Sequence, residues 1–404
     1  MGSKGFRIAW LASVVIASST HTAAAAETPG VSANEIKIGQ TMPYSGPASA
    51  YGVIGRAQLA YFKMINEQGG VNGHKINLIS LDDGYAPPKT VEQTRKLVEE
   101  EKVAFIWQSI GTAPNTAIEK YLNDRKIPQL FAGSFASKFN DPKHFPWTMG
   151  AFGSYYAEGL AYAKYITDTN PEGKIAILYQ NDDYGKDYVN GLRDGLGARA
   201  AKMIVADASY EFTDPTIDSQ VVTLQSSGAD IFYDIAGPKF AAQAIRRVSD
   251  LGWKPVHLLN AVSSSVSAVL APAGLDKATG IISVIALKDP TDPQWKEDAG
   301  YKDWLAWMKK YFPEGDTNDL NNVYGYTQAQ MLVQVLKQCG DDFSRENVMR
   351  QATNLHALAL PMLLPGITID TSPTDYQPLK KVRMAKFDGH TWVPFGDVID
   401  ASSQ

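Results

Sequence analysis

Residues 103–137 read VAFIWQSIGTAPNTAIEKYLNDRKIPQLFAGSFAS. An unbroken apolar run, Val103 to Trp107, leads into the loop Gln108-Ser109-Ile110-Gly111-Thr112-Ala113. A helical stretch follows from about Asn115 to Asp124, and then a second apolar run, Ile127 to Ala132. Strands that are apolar throughout, without alternation, are buried on both faces, and a helix between two of them makes a parallel crossover unit. The pattern extends in both directions. Upstream lie Ile36 to Gly39, a Pro/Ser/Gly loop, a helix from about Gly55 to Gln68, and Ile76 to Leu81. Next comes a helix opened by Pro87-Pro88 with Val91, Thr94, Leu97 and Val98 on one face. Proline is harmless in a first turn, where its missing N–H has no intrahelical partner.

Downstream of Phe152-Gly153 the series starts again. It runs helix Tyr155 to Ile166, strand Lys174 to Tyr179, helix Tyr184 to Leu196, strand Met203 to Ala206 and helix Thr216 to Ser226. Strand Ile231 to Ile235, helix Pro238 to Leu251 and strand Val256 to Leu259 complete it. The same order twice predicts an α/β protein of two doubly wound lobes with parallel central sheets. Residues 289–338 read as mostly helical, with Trp295, Trp304, Leu305, Trp307 and Met308 on an amphipathic pattern and a further helix from Tyr326 to Gln338. Beyond Pro365, Val382 to Phe387 and Trp392 to Phe395 read as strands about the turn Asp388-Gly389. No low-complexity linker is present, so several ordered crossings are expected to join the lobes.

Composition narrows the function. The chain has 404 residues, 44% hydrophobic and 20% charged, which suits two domains. Its formal charge is −5, and setting aside Lys4 and Arg7 makes it −7. With no basic block, neither a nucleic-acid groove nor an anionic-membrane surface is expected. One cysteine, Cys339, excludes an intramolecular disulfide, and six scattered histidines suggest no catalytic metal; no cofactor is expected. Residues 1–26 carry Lys4 and Arg7, an apolar run from Ile8 to Ile16 and Ala24-Ala25-Ala26. This is the order of a cleaved secretory leader, with a core shorter than the roughly 20 residues that span a bilayer. The mature chain is expected to begin near Glu27, outside the cytoplasm. No cysteine follows the run to accept a lipid anchor.

In open parallel sheets, ligands sit beyond the carboxyl ends of the strands, where loops and helix starts offer backbone amides. The loop Thr41-Met42-Pro43-Tyr44-Ser45-Gly46-Pro47, continuing to Tyr51-Gly52, is either a Pro/Gly turn or a cleft wall with Tyr44 or Tyr51 as an aromatic platform. Ser109, Gly111 and Thr112 stand at a helix start, where hydroxyls and free N–H groups cradle a carboxylate. Ser134 and Phe135 follow the next strand, with Gly133 permitting close approach. In the second lobe, Asn181-Asp182-Asp183-Tyr184-Gly185 and Ala236-Gly237-Pro238-Lys239 hold the equivalent places. Asp82-Asp83 and Asp182-Asp183 read as turn and cap chemistry in preference to metal ligands. Gly195-Leu196-Gly197-Ala198-Arg199-Ala200 has the letters of a dinucleotide fingerprint but ends a helix. No Gly-x-Ser-x-Gly elbow or phosphate loop supports an enzyme.

Several stretches in fixed order resemble one family. They are Ile38-Gly39, Ser45-Gly46-Pro47, Tyr51-Gly52, Ile65-Asn66-Glu67, Gly69-Gly70-Val71-Asn72-Gly73 and Asp82-Asp83. Tyr184-Gly185, Gly228-Ala229-Asp230 and Ala278-Thr279-Gly280-Ile281 follow. The family is that of the periplasmic branched-chain amino-acid binding proteins that serve ABC importers, and the likeness covers essentially the whole mature chain. It implies two Rossmann-like lobes joined by three crossings, closing on a ligand without catalysis. The lobes are then 34–150 with 288–365, and 151–287 with 366–404. It implies a monomer that hands its ligand to permease and ATPase subunits, a role that ligand sensing for a membrane receptor would share.

Carried onto this chain, the family's ligand loops fall at Gly111-Thr112 and Ser134-Phe135, and its cleft aromatics at Tyr51 and Tyr184, with the segment of Tyr324 as a further wall. Two positions depart from the family. The acid expected to meet a ligand ammonium is Ala261, and the tyrosine expected after the Tyr233 strand is Gly237. A buried ammonium without a counter-charge is costly. The expected ligand is therefore a small, hydrophobic or aromatic organic acid, its carboxylate on the Thr112 and Ser134 loops, or else a branched-chain-type amino acid with another acid replacing the missing one.

Overall fold

The computed structural model describes residues 1–2 and 28–400; the leader read at 1–26 lies outside them apart from Met1 and Gly2. Five strands form the first sheet: β1 (Glu35–Met42), β2 (Lys75–Asp82), β3 (Phe105–Trp107), β4 (Gln129–Ala132) and β5 (Thr148–Gly150). Their order is β2-β1-β3-β4-β5 and every pairing is parallel. The second sheet holds β6 (Ile175–Gln180), β7 (Ile204–Tyr210), β8 (Ile231–Ile235), β9 (Val256–Leu259), β10 (Ile282–Ile285), β11 (Lys381–Phe387) and β12 (Trp392–Asp400). Its order is β12-β11-β10-β9-β8-β6-β7, with β11 antiparallel to both its neighbours.

Numbered within each lobe, the first five strands of both sheets follow one winding, 2-1-3-4-5. The direction of winding reverses between β1 and β3 in one sheet and between β6 and β8 in the other. Such reversals open a crevice at the strand carboxyl ends. Burial follows position. β3, β4 and β8 are buried throughout, whereas β7, at a sheet edge, alternates until Tyr210.

Helices cover the sheets by close contact. Helix Leu320–Gln338 crosses helix Gly52–Glu67 at Gly325, where a Cβ would lie 2.9 Å from the Ile54 carbonyl oxygen. Tyr61 packs edge-on against Tyr326 at 5.1 Å in the same layer. The chain passes between the sheets three times: from β5 to helix Tyr155–Thr169, from β10 towards helix Ala299–Tyr311, and finally into β11. Residues 369–376 still bond to the first lobe's side, through Thr371 to Leu355 and Tyr376 to Asn140.

Several elements differ from the sequence reading. The helix read from Asn115 begins at Thr112, because Gly111 takes φ +111° and turns the chain into it three residues early. β7 runs on to Tyr210, beyond Ala206, carried by its ladder with β6. β5, β10 and helix Arg345–Ala352 were not anticipated: three or four residues show no period, and Arg345–Ala352 is short and polar.

Candidate ligand-binding site

The two crevices face each other across a cavity of about 150 Å³. Loops after β1, β2, β3 and β4 contribute Pro47, Tyr51, Tyr85, Ile110, Gly111, Gly133 and Phe135, and helix Gly52–Glu67 adds Ile54. From the second lobe come Gln180, Tyr184, Phe212, Gly237, Lys239, Phe240, Ala261 and Val262. Phe152, Tyr155, Ala286 and Tyr324 close the hinge side. Aromatic rings dominate, and an apolar cavity of roughly this size accommodates benzene.

Of the sequence-predicted residues, Tyr51, Gly111, Phe135, Tyr184, Gly237, Ala261 and Tyr324 are brought together in the wall. Tyr44 lies outside it, its hydroxyl 2.7 Å from Ser80 Oγ and its ring against Gly55. Ser109 is buried behind the wall, where its Oγ accepts the Thr41 N–H at 3.0 Å. Thr112 and Ser134 also stand just behind it. Their hydroxyls bond to each other at 2.8 Å and adjoin the Tyr155 phenol. Backbone at Gly111 and Gly133 forms the surface there; a Cβ on Gly111 would meet the Tyr85 ring at 2.5 Å. Helix Thr112–Asp124 starts at Gly111 without a side-chain cap, so its first N–H groups remain open to an anion.

Burial pushes the phenols of Tyr51, Tyr155, Tyr184 and Tyr324 well above their ordinary range, so they stay O–H donors. The acids near the cavity are engaged elsewhere. Asp182 caps helix Asp183–Leu196 by accepting from the Tyr184 and Gly185 N–H groups, and its other oxygen accepts from Gln180 Nε2. Asp82 accepts from Ser45 and Lys89, and Asp83 from Tyr85 and Thr90, which is the turn chemistry expected. At Ala261 the backbone N–H donates to Glu158 at 2.9 Å. Glu158 Oε2 takes the Tyr188 hydroxyl at 2.9 Å, and burial pushes this carboxyl up to about 8. A carboxylic acid stands behind the position where the family comparison anticipates one, but it is largely protonated at neutral pH.

Contacts between the lobes surround the cavity. Tyr85 and Phe212 stack at 4.3 Å, the Tyr51 hydroxyl donates to the Val262 carbonyl at 3.2 Å, and Ser265 donates to Asp319 at 2.9 Å. Lys138 pairs with Asp183 at 3.1 Å, and Ser137 holds the Asp187 carboxylate by its N–H and its hydroxyl. The sequence reading missed Tyr85, Phe152, Tyr155, Phe212 and Phe240 as wall residues. Tyr85 and Phe212 do follow strands, β2 and β7, but the loop after β2 reads as turn chemistry at Asp82-Asp83, and β7, read as ending at Ala206, runs on to Tyr210 and carries its loop to Phe212. Among the described residues no cluster of His, Cys, Asp and Glu could hold a metal, and no helix is long and apolar enough to cross a membrane.

The chain matches the model of a periplasmic binding protein family over residues 35–391. Leu/Ile/Val-binding protein homolog 1 of Brucella abortus (strain 2308) is 22% identical over 316 residues, covering 77% of this chain and 81% of that protein. Among solved structures, a branched chain amino acid ABC transporter protein from Thermus thermophilus with bound valine superposes with a TM-score of 0.81. It is 19% identical, and the match covers 91% of this chain and 97% of that one. A fatty acid ABC transporter substrate-binding protein from Thermomonospora curvata gives a TM-score of 0.75 at 20% identity, covering 94% and 96%.

Proposed function

Because the chain belongs to the periplasmic binding protein family, we propose that it captures a small carboxylate by lobe closure and delivers it to an ABC importer. The observation that carries this reading is the aromatic cavity at the carboxyl ends of both parallel sheets, with Gly111, the residue that opens helix Thr112–Asp124 without a side-chain cap, in its wall. Exchange of ligand with the surroundings requires the lobes to part. Ligand contacts to both walls then favour the closed form by its differential affinity for that form. Phenol donors and open N–H groups suit a carboxylate, and the aromatic lining suits a hydrophobic or aromatic body.

In the same proposal the chain is exported by its leader without a lipid anchor and acts as a monomer, with no enzymatic turnover. Its lobes are 34–150 with 288–365 and 151–287 with 366–404; the bonds of residues 369–376 to Leu355 and Asn140 favour moving the last boundary towards Lys380.

Titration calorimetry on protein stripped of carried-over ligand tests the reading. Benzoate- or cinnamate-type acids are expected to bind once per chain and to be recovered unchanged. Tight binding of leucine with no response to these acids would reject the organic-acid assignment.

A further inference from the structure

We propose that the second lobe's wall of the cavity is a separate anion-binding corner, made by Lys239, the first turn of helix Pro238–Asp250 and the Tyr184 hydroxyl, so that the ligand is a compact dicarboxylate. This rests on the reading just given, which assigns one carboxylate to the Gly111 side, and it names the group at the other end.

Lys239 is the only residue of the cavity wall with a formal charge. No carboxylate pairs with it among the described residues, and its ammonium stands 4.7 Å over the ring of Phe240, itself in the wall. Helix Pro238–Asp250 begins at Gly237 with no side-chain cap. Pro238 has no N–H and the Gly237 N–H is taken by the Tyr210 hydroxyl at 2.9 Å, which leaves the N–H groups of Lys239 and Phe240 without intrahelical acceptors. Independently of that helix start, Tyr184 is 4% exposed, its ring lines the cavity, and its hydroxyl has no hydrogen-bond partner. This leaves a phenol donor at the cavity wall that a ligand acceptor can satisfy.

The groups left free at this corner are donors or a cation; the neighbouring Gln180 Oε1 already accepts from the Tyr210 hydroxyl at 3.1 Å. The nearby acids are held by other partners: Asp182 accepts from the Tyr184 and Gly185 N–H groups and from Gln180, and the fully buried Asp234 sits 3.4 Å from His257, so neither pairs with Lys239. An amino acid's ammonium would face Lys239 and a helix N-terminus, both positive. A second carboxylate meets all three donors. The room between the two ends, about 150 Å³ walled by rings, fits one six-membered ring or a short chain.

The test is calorimetry with terephthalate, benzoate and leucine as probes on the stripped full-length protein and on Lys239→Met, Lys239→Arg and Tyr184→Phe. Terephthalate should bind at least tenfold more tightly than benzoate. Lys239→Met should erase that advantage, and Lys239→Arg should restore most of it. Tyr184→Phe should weaken terephthalate several-fold. Circular dichroism and melting confirm that each variant is folded. Equal affinity for the two acids in the unaltered protein, or loss of both acids alike in Lys239→Met with recovery of neither in Lys239→Arg, would overturn the second corner while leaving carboxylate capture standing. Binding of leucine with neither acid bound would overturn the second corner and the organic-acid assignment together.

Discussion

Glu119 shows how one buried side chain couples this protein to pH. It projects from helix Thr112–Asp124 and is 4% exposed, and its carboxylate lies 4.0 Å from Lys138 Nζ. Burial pushes it up to about 7 from an ordinary 4.5, against the pull of Lys138 and with added repulsion from Asp141 and Asp183. Between those values the folded protein keeps a proton that the unfolded chain has released. Stability from this group therefore falls as pH rises through the window, by about 3 kcal/mol once Glu119 is ionised in both states. Glu119→Gln cannot ionise. It should match the unaltered protein in urea unfolding near pH 4.5 and exceed it by about 1–3 kcal/mol at pH 8. A difference that does not widen with pH would show that the carboxylate is not desolvated as the structure indicates.

Among the elements, the pairing of helices Tyr155–Thr169 and Asp183–Leu196 has little tolerance. A Cβ on Gly159 would lie 2.5 Å from the Tyr188 carbonyl oxygen and one on Gly191 2.0 Å from that of Tyr156. These obstacles are backbone and cannot rotate aside. The close approach stacks Tyr155 on Tyr188 at 4.7 Å and sets Tyr184 edge-on to Tyr155 at 5.1 Å, so it also aims two cavity rings. Gly191→Ala should cost about 1–3 kcal/mol or more through overpacking. It should also weaken ligand binding, because the helices must separate. A variant with unchanged melting temperature and affinity would mean that the helices part without penalty.

For the whole molecule, the function proposed above makes opening against closing the decisive equilibrium, and the contacts between the lobes set it. The Lys138–Asp183 pair is partly solvated and contributes little. The Tyr85–Phe212 stack is partly buried at the cavity and takes one ring from each lobe. An aromatic pair of this kind contributes about 0.5–1.5 kcal/mol, so Phe212→Ala should lower ligand affinity by up to about tenfold. In ligand-free solution scattering it should show a larger radius of gyration than the unaltered chain. An unchanged radius would assign the affinity loss to direct ligand contact alone.

Much of this was legible in the chain itself. Apolar runs such as Val103 to Trp107 and Ile231 to Ile235 announce parallel strands because burial on both faces leaves no polar position, and their alternation with helices reveals two lobes. The strand-end rule located Gly111, Phe135, Tyr184 and Gly237, since loop position is a local property. Direction is not local. Tyr44 turns away to Ser80 while Tyr51, one helix start further on, reaches Val262. Thr112 and Ser134 spend their hydroxyls on each other, and Glu158 arrives behind Ala261 from a helix distant in sequence. Tyr85 meets Phe212, and Lys239 faces the cavity with no carboxylate paired to it among the described residues, only once both lobes are folded and brought together. The order and type of the elements therefore follow from the sequence by itself. Which side chains share the cavity, and with what charge, was decided by tertiary structure, because a side chain's neighbours are set by packing between segments that the chain order does not relate.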